Sequence, residues 1–267
     1  MQLKFVKMHG LGNDFMLVEW PDSLPLPSEE TIRSWGDRRR GVGFDSLLLI
    51  EPEHRYRVFN ADGGRAEQCG NGARCIAAWL RDSKPGEIVL QTSGIQVAAE
   101  VKDGGLVAVD LGEPDFRPES LPFKAAAIAD SYTLELASGP VEFGIVSMGN
   151  PHAVIAVDST DAADVGIIGA ELARHPAFPD SVNVGFAQRV SRSELKLRVY
   201  ERGVGETQAC GTGAAAAVAN GIRRGELDEK VAVELPGGRL EVSWRGPGTN
   251  LWQTGQTTKV YEGLIEI

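Results

Sequence analysis

Hydrophobic and polar residues alternate with a period near two along much of this chain, which is the pattern of strands with one buried face. The clearest segments are Tyr56 to Asn60, Glu87 to Gln91, Gly105 to Leu111, Glu194 to Glu201 and Lys230 to Leu235. Turn sequences separate them, such as Asp103-Gly104-Gly105 and Pro236-Gly237-Gly238. The pattern therefore predicts a strand-rich chain with antiparallel hairpins.

Four other segments favour helices: Ser28 to Arg40, Gly70 to Asp82, Ala162 to His175 and Gly211 to Arg224. The first opens with a capping serine and ends in Arg38-Arg39-Arg40, which predicts a solvated helix end whose charge suits the helix dipole. The second and the fourth are rich in alanine. Each of these two begins at a glycine-rich turn directly after a cysteine.

The two halves of the chain resemble each other around these cysteines. The first half carries Arg57-Val58-Phe59-Asn60 and then Gln68-Cys69-Gly70-Asn71-Gly72-Ala73. The second carries Arg198-Val199-Tyr200-Glu201 and then Gln208-Ala209-Cys210-Gly211-Thr212-Gly213-Ala214. In both, a predicted strand ends on a polar residue nine positions before the cysteine. Pro114 to Ser120 reads as a linker between the halves.

The correspondence continues upstream of both cysteines. Asn13 precedes Cys69 by 56 residues, and Asn150 precedes Cys210 by 60. Ser46 and Asn183 precede the same cysteines by 23 and 27 residues, so the offset is again four. One insertion between Asn183 and Glu201 explains both offsets. We expect two copies of one unit related by a pseudo-twofold axis.

A pair of matched cysteines suits the inversion of a carbon centre. Such a reaction needs a base on one face of the carbon and an acid on the other, and a thiolate with a facing thiol supplies both. A thiol at a helix N-terminus has its thiolate favoured by the dipole and by backbone N–H groups. The amides at Gly70-Asn71 and Gly211-Thr212 can hold a carboxylate and stabilise the charge that develops during deprotonation.

Simpler roles for the cysteines are possible. A cysteine beside glycine is often only a small buried residue, which is the role expected of Cys75 inside its helix. Zinc fits poorly because no Cys-x2-Cys pair exists. A redox function also lacks a Cys-x-x-Cys motif, and a binding module would not need two thiols at matched helix starts.

The composition of the chain limits its possible binding partners and its cellular location. The formal net charge is −10, so a nucleic acid is a poor candidate. No apolar stretch approaches the ~18 residues that span a bilayer, and the N-terminal residues show no apolar core of an export signal. Three cysteines cannot all pair with one another. We therefore expect free thiols in the reducing cytoplasm.

The chain resembles the diaminopimelate epimerase family from its first residues to its last. The resemblance is carried by Met8-His9-Gly10-Leu11-Gly12-Asn13-Asp14-Phe15, Phe59-Asn60-Ala61-Asp62-Gly63, the segment from Gln68 to Cys75, Met148-Gly149-Asn150-Pro151-His152 and the segment from Tyr200 to Gly213. Members interconvert LL- and meso-2,6-diaminopimelate on the route to lysine and peptidoglycan, with neither pyridoxal phosphate nor metal.

The resemblance implies an α+β fold of two pseudo-symmetric domains, each a strongly curved, mainly antiparallel sheet around a central helix. The expected division is residues 1–116 with about 255–267, which carry Cys69, and residues 117–254, which carry Cys210. The active site is expected in the cleft between the domains. The resemblance also implies a homodimer with Tyr261 near the contact.

The implied catalytic residues are Cys69 and Cys210, with His152 and Glu201 tuning the thiols or orienting the substrate. The implied substrate contacts are Asn13, Ser46, Asn60, Gly70, Asn71, Asn150, Asn183, Glu201, Arg202, Gly211 and Thr212. Ser46 stands where many bacterial members have glutamine, and its shorter side chain needs a water to reach as far. Within this chemistry, a proline or hydroxyproline racemase is the alternative, but Arg202 and the four asparagines suit a substrate with charges at both ends.

Overall fold

A computed structural model describes residues 1–66, 69–125 and 127–267. The chain forms two compact units, one of Met1–Val109 with Thr254–Ile267 and one of Asp110–Gln253. The domain boundary expected after residue 116 falls within the second unit. Gln68, part of the duplicated motif, lies outside the described residues.

The first unit contains most of the strands that precede the predicted linker. Its elements are β1 Gln2–Gly10, β2 Asn13–Glu19, α1 Glu29–Gly36, β3 Ser46–Glu51, β4 Arg55–Asn60, β5 Arg65–Ala66, α2 Gly70–Leu80, β6 Gly86–Thr92, β7 Ile95–Val101 and β8 Leu106–Asp110, which ends at the boundary. A late strand, β18 Thr258–Glu266, pairs antiparallel with β1 and belongs to this unit.

The second unit follows. Its elements are β9 Tyr132–Leu136, β10 Gly139–Ser147, β11 Pro151–Ala156, α3 Val165–Ala173, β12 Asn183–Ser191, β13 Glu194–Glu201, β14 Gly205–Thr207, α4 Gly211–Arg223, β15 Lys230–Leu235, β16 Gly238–Ser243 and β17 Trp252–Gln256, which spans the boundary. Short 3-10 turns occur at Pro52–His54, Asp103–Gly105 and Pro118–Ser120.

The two units repeat one order of strand pairings. In the first unit, β1–β2 is antiparallel, β2–β3 parallel, β3–β4 and β4–β5 antiparallel, β4–β6 parallel and β6–β7 antiparallel. The second unit gives the same sequence of directions for β10–β11, β11–β12, β12–β13, β13–β14, β13–β15 and β15–β16. The internal duplication inferred from the cysteine motifs is thus present in the backbone pairing, and the predicted α+β class is confirmed.

Each unit has one central helix. In the first unit α2 packs against β1 and β2 and also against β6 and β7, which lie at the other end of the pairing order. In the second unit α4 packs likewise against β10 to β13 and against β16. Residues Gly70 to Ala78 of α2 are all buried, as small side chains allow strands to approach it closely.

The hairpin β12–β13 explains the four-residue offset between the halves. Ser46 at the start of β3 lies opposite Asn60 at the end of β4. Asn183 and Glu201 occupy the same terminal positions of β12 and β13, where Val184 pairs with Tyr200. Both strands of the second hairpin are longer than their counterparts. The inserted residues therefore extend the hairpin and leave its polar end unchanged.

The first helix is shorter than predicted. Ser28 caps α1 as expected, accepting a hydrogen bond at Oγ from the N–H of Thr31 over 3.1 Å. However, the helix ends at Gly36 because the backbone of Asp37 is extended. The Asp37 carboxylate accepts hydrogen bonds from the N–H groups of Arg39 and Arg40 and stabilises a turn there. The prediction that Arg38-Arg39-Arg40 ends a helix was wrong.

Candidate active site

Cys69 is the N-cap residue of α2. Its backbone is extended, and its Sγ accepts a hydrogen bond from the N–H of Gly72 over 3.4 Å. The first helical hydrogen bond runs from the N–H of Ala73 to the carbonyl of Cys69. The amides of Gly70 and Asn71 therefore precede the intrahelical bonds, as predicted for groups that could receive a carboxylate.

Asn13 lies beside this thiol. The Cys69 Sγ is 3.8 Å from Oδ1 of Asn13, and the same oxygen accepts a hydrogen bond from Nδ2 of Asn71 over 3.1 Å. The amide of Asn13 donates in turn to Oδ2 of Asp45 over 2.9 Å. Asn13 and Asn71 were both predicted as substrate contacts, and the structure brings them together with Cys69.

Asp45 belongs to an ionic network that the sequence did not indicate. Arg38 bridges Asp45 and Asp14 at 2.7 and 2.8 Å, and Lys7 contacts Asp14 at 2.6 Å. Burial raises the pKa of Asp14, but hydrogen bonds from Arg38 and Lys7 hold that pKa well below its ordinary value. The network thus fixes the start of β2, where Asn13 lies, and Arg38 pairs with two carboxylates although its side chain is still 57% exposed.

Ser46 and Asn60 are the two further residues of this unit that were predicted as substrate contacts. They are directly paired at the end of the β3–β4 hairpin, where Ser46 is nearly buried and Asn60 is exposed. Their side chains therefore lie at the same end of the hairpin.

Cys210 is the N-cap residue of α4 in the second unit. Its Sγ lies 3.7 Å from Oγ1 of Thr212, and the first helical hydrogen bond runs from Ala214 to its carbonyl. The amides of Gly211 and Thr212 therefore occupy the positions that Gly70 and Asn71 occupy in α2. The side chain of Gln253 donates to the Gly211 carbonyl over 2.6 Å and holds this turn in place.

The electrostatic setting of Cys210 differs from the sequence expectation. Burial raises the pKa of the Cys210 thiol well above its ordinary value, and the negative charge of Glu201 raises it further. Hydrogen bonds from the Gly213 N–H and from Thr212 oppose this increase in the pKa but do not reverse it. A helix N-terminus was expected to favour the thiolate; at Cys210, burial and a neighbouring carboxylate keep the neutral thiol.

Asn150 has the same place relative to α4 as Asn13 has relative to α2. Each asparagine follows a glycine with positive φ, 85° at Gly12 and 87° at Gly149, which only glycine adopts readily. Asn150 donates from Nδ2 to Oγ1 of Thr212 over 3.2 Å. Its Oδ1 lies 2.9 Å from Nε2 of His152.

His152 is buried and uncharged. Burial, with the positive charge of Arg202, lowers the pKa of His152 to about 3. A neutral ring has one N–H, and because Oδ1 of Asn150 can only accept, Nε2 carries it. His152 thus orients Asn150 through a hydrogen bond.

Asn183, Glu201 and Arg202 come together at the end of the β12–β13 hairpin. Asn183 accepts at Oδ1 from the Arg202 N–H over 2.9 Å and donates to the Pro151 carbonyl over 3.0 Å. The Glu201 carboxylate accepts a short hydrogen bond from the Thr207 hydroxyl, a residue that the sequence did not single out. The Arg202 guanidinium is exposed and donates to the Asp180 carbonyl.

Tyr261 lies on β18, the strand that pairs with β1. Its ring contacts the edge of Phe5 with the centroids 5.9 Å apart, and its hydroxyl donates to the Val42 carbonyl over 3.3 Å. Its side chain is 43% exposed, and Val260 and Leu264 on the same strand are also exposed.

Across residues 1–66, 69–125 and 127–267, no group of three or more histidine, cysteine, aspartate or glutamate side chains is arranged to hold a metal ion. Among the helices of those ranges, none combines the length and the apolar character required to cross a bilayer.

Comparison with known proteins identifies the family. The model of the diaminopimelate epimerase family matches residues 5–117 and 144–260. Proteins named diaminopimelate epimerase from Chromobacterium violaceum and Stutzerimonas stutzeri are 51% and 46% identical to this chain over 276 aligned residues, with both partners fully covered. A hydroxyproline epimerase structure from Agrobacterium vitis shares the fold, with a TM-score of 0.72 at 16% identity over 99% of this chain and 92% of that one.

The full-length matches include both cysteine-bearing helix starts and the strands that lead to them. The repeated pairing order described above agrees with the shared fold. This chain therefore belongs to the diaminopimelate epimerase family.

Proposed function

We propose that the protein is an isomerase that interconverts LL- and meso-2,6-diaminopimelate by proton transfer at one α-carbon. The observation that carries this proposal is the matched pair of N-cap cysteines, Cys69 and Cys210. Cys69 contacts Asn13 directly, whereas Cys210 contacts Thr212, which accepts a hydrogen bond from Asn150. Membership of the family, with relatives of that name about half identical over their full length, supports this substrate.

The reaction that we propose uses one thiol from each unit. A thiolate removes the α-proton and becomes a thiol, and the electron pair of the broken C–H bond delocalises into the α-carboxylate. The other thiol delivers its proton to the opposite face and becomes the thiolate. The reverse reaction exchanges the two roles.

The helix-start amides stabilise the developing charge. Gly70 and Asn71 on α2, and Gly211 and Thr212 on α4, present N–H groups that precede the helical hydrogen bonds. Donors placed where negative charge develops lower the barrier without reorganisation. In this proposal they do the work that pyridoxal phosphate does in other racemases, so neither that cofactor nor a metal takes part.

The polar groups at the hairpin ends suit a substrate with an ammonium and a carboxylate at both ends. We assign Asn60 and Glu201 to the reacting end, and Asn13, Asn150, Asn183 and Arg202 to the rest of the substrate. A guanidinium can fork onto a carboxylate, while amide side chains both donate and accept. Ser46 contacts the substrate through water, because its side chain is short and nearly buried.

Isotope exchange tests this proposal. In deuterium oxide, purified protein should convert LL-diaminopimelate into the meso isomer and place one deuterium at the inverted α-carbon, as detected by mass spectrometry. Proline and trans-4-hydroxyproline under the same conditions are the matched controls. Inversion of either cyclic amino acid without exchange into diaminopimelate would overturn the substrate assignment and favour a proline-type racemase.

Comparing the activity of the reduced and the oxidised protein distinguishes the proposed epimerase from a redox protein. An epimerase needs both thiols reduced, so activity should be highest with dithiothreitol present. An activity that required the oxidised protein would contradict the proposed function.

A further inference from the structure

Arg74 is a fully buried arginine inside α2, one turn beyond the catalytic helix start. A buried guanidinium is rare because its loss of hydration must be offset by specific contacts. The proposed reaction gives this side chain no role, and the sequence alone did not single it out.

The contacts of Arg74 lead to Cys69. Its Nη2 donates to Oδ1 of Asn71 over 2.7 Å, and Nδ2 of Asn71 donates to Oδ1 of Asn13 over 3.1 Å. That same Asn13 oxygen accepts a hydrogen bond from the Cys69 thiol over 3.8 Å. An amide has only one oxygen, so the bond from Arg74 fixes which way Asn71 points and therefore how Asn13 is held.

The end of β1 makes room for this arrangement. A Cβ atom on Gly10 would lie 3.3 Å from Nη2 of Arg74 and 3.5 Å from Cβ of Asn71. The absence of a side chain at Gly10 thus allows the guanidinium to reach Asn71. The position of Arg74 is specified by two elements, α2 and β1.

The second unit lacks a cation at the position that matches Arg74. Counting from each cysteine, Arg74 corresponds to Ala215, a buried alanine of α4. In place of a cation, the carboxylate of Glu201 acts on Cys210, whereas Asn60 is the matching residue of the first unit. The duplicated units therefore differ in charge at their two thiols.

We propose that Arg74 is a positioning residue that holds Asn71 and Asn13 beside Cys69. Its positive charge, together with the Gly72 N–H that donates to the sulfur, favours the Cys69 thiolate over the thiol that donates to Asn13, so that the resting pair is a Cys69 thiolate and a Cys210 thiol. This inference deepens the proposed function and rests on it for its catalytic meaning. The charge state of Cys69, however, can be measured without any turnover.

The guanidinium keeps its charge in this site. Burial lowers the pKa of Arg74 to about 10, which still leaves Arg74 cationic at neutral pH. The other titratable groups on the strands that pack against α2 are Lys4, Lys7 and His9 on β1, Asp14 and Glu19 on β2, Glu87 on β6 and Glu100 on β7. Cys75 lies on α2 itself, and Tyr56 on β4 interacts with Cys69.

These other groups do not supply the same positive charge. Lys7 pairs with Asp14 at 2.6 Å and Lys4 with Glu262 at 2.7 Å, and His9 accepts a hydrogen bond at Nδ1 from the Gly12 N–H. The carboxylates of Glu19, Glu87 and Glu100 are exposed. Burial raises the pKa of Cys75 to about 12, which keeps it a neutral thiol. Burial likewise raises the pKa of Tyr56, which is uncharged at neutral pH.

The test is the pH dependence of alkylation, followed separately at Cys69 and Cys210 by peptide mapping of the full-length protein with iodoacetamide. Because only the thiolate reacts, the profile at each cysteine reports its apparent pKa. We expect Cys69 to titrate below the ordinary thiol value of about 8.5 and Cys210 above it. A Cys69 value at or above the ordinary one overturns the proposal.

Substitutions then separate charge from position. Arg74→Met should raise the apparent pKa of Cys69 by about one unit, a tenfold smaller thiolate fraction at neutral pH, and leave Cys210 unchanged. Arg74→Lys keeps the charge and should restore much of the thiolate, whereas Arg74→Gln keeps a donor for Asn71 and should not. Arg81→Met, which removes a guanidinium at the far end of α2, is the matched control and should change neither profile.

Gly10→Ala tests the same arrangement with Arg74 intact. The added methyl presses on the guanidinium, so it should weaken the bond to Asn71 and raise the apparent pKa of Cys69 by less than Arg74→Met does. If Arg74→Met does not fold, Gly10→Ala provides the test, and an unchanged pH profile of Cys69 alkylation in Gly10→Ala then overturns the proposal. If the Arg74 variants fold, an unchanged Cys69 profile in them overturns the proposal too. None of these measurements needs substrate, so they stand apart from the test of epimerase activity.

Discussion

The ring of His152 donates a hydrogen bond from Nε2 to Oδ1 of Asn150 over 2.9 Å, within a site where the histidine is buried and neutral. Protonation of the ring would place an uncompensated charge in this interior. Since His152 has a pKa of about 3 in the folded protein and an ordinary value near 6.5 when unfolded, only the unfolded chain gains a proton between these pH values.

The stability contributed by His152 is therefore complete above about pH 6.5 and is lost as the pH falls toward 3. We expect urea unfolding of the wild-type protein to show a free energy that falls from pH 6.5 to 4.5 more steeply than in His152→Gln, by at most about 1.4 kcal/mol per pH unit. Equal slopes in the two proteins would contradict a neutral His152.

Loss of either N-cap thiol should abolish inversion. Cys69→Ser and Cys210→Ser replace a thiol by a hydroxyl that is a far weaker acid, so we expect turnover to fall by about 10²- to 10⁴-fold with an unchanged circular dichroism spectrum. Cys75→Ala removes a buried sulfur outside the proposed site and should keep most of the activity. Near-normal turnover in either serine variant would exclude the two-base assignment.

Activity should not depend on an added cofactor. After dialysis against a chelator, and with no pyridoxal phosphate present, we expect full turnover of diaminopimelate, because helix-start amides carry the carboxylate charge in the proposed mechanism. The comparison is with untreated protein in the same assay. Recovery of lost activity on addition of zinc, magnesium or pyridoxal phosphate would refute the cofactor-free proposal.

We predict a homodimer with Tyr261 at the contact. Tyr261 is half exposed on β18, next to the exposed Val260 and near Leu264, and tyrosine is enriched at interfaces. Sedimentation should give a dimer for the wild-type protein at micromolar concentration and a monomer for Tyr261→Ala. Lys259→Ala, on the same strand, is a control that removes a charge and keeps the apolar surface. A wild-type monomer would end this hypothesis.

Mild oxidation should inactivate the protein reversibly. In the proposed two-base mechanism both thiols act on one α-carbon, so we expect oxidation without substrate to join them by a bond of about 2.05 Å. Peptide mapping should find a Cys69–Cys210 bridge and a reduced Cys75, whose thiol is buried and has its pKa raised to about 12. A bridge between Cys69 and Cys75, or full activity after oxidation, would contradict the model of two facing thiols.

Residue spacing alone predicted much of the polar site. Because both halves kept the same turn before each asparagine and the same hairpin end before each cysteine, the four-residue offset revealed that Ser46 matches Asn183 and Asn60 matches Glu201. These relations depend on local backbone pairing. Such pairing leaves a repeated pattern in the sequence, since glycine turns and strand ends use characteristic residues.

The parts that the sequence did not predict depend on contacts between distant elements. Arg74 lies in an alanine-rich helix, and its burial depends on the absence of a side chain at Gly10, 64 positions earlier. The turn after α1 forms because the Asp37 carboxylate accepts hydrogen bonds from the backbone amides that follow it. Arg38 then pairs with Asp14. Hydrophobic periodicity contains no information about either partnership.

The pairing of β18 with β1 also affects the order in which the two units can fold during synthesis. The second unit is continuous in sequence, whereas the first needs a strand that the ribosome delivers only after the whole second unit. Until then β1 has an unpaired edge along Gln2 to His9, the kind of edge that invites association with other chains. The second unit can therefore complete its folding first, whereas the edge of β1 stays unpaired until β18 has been synthesised.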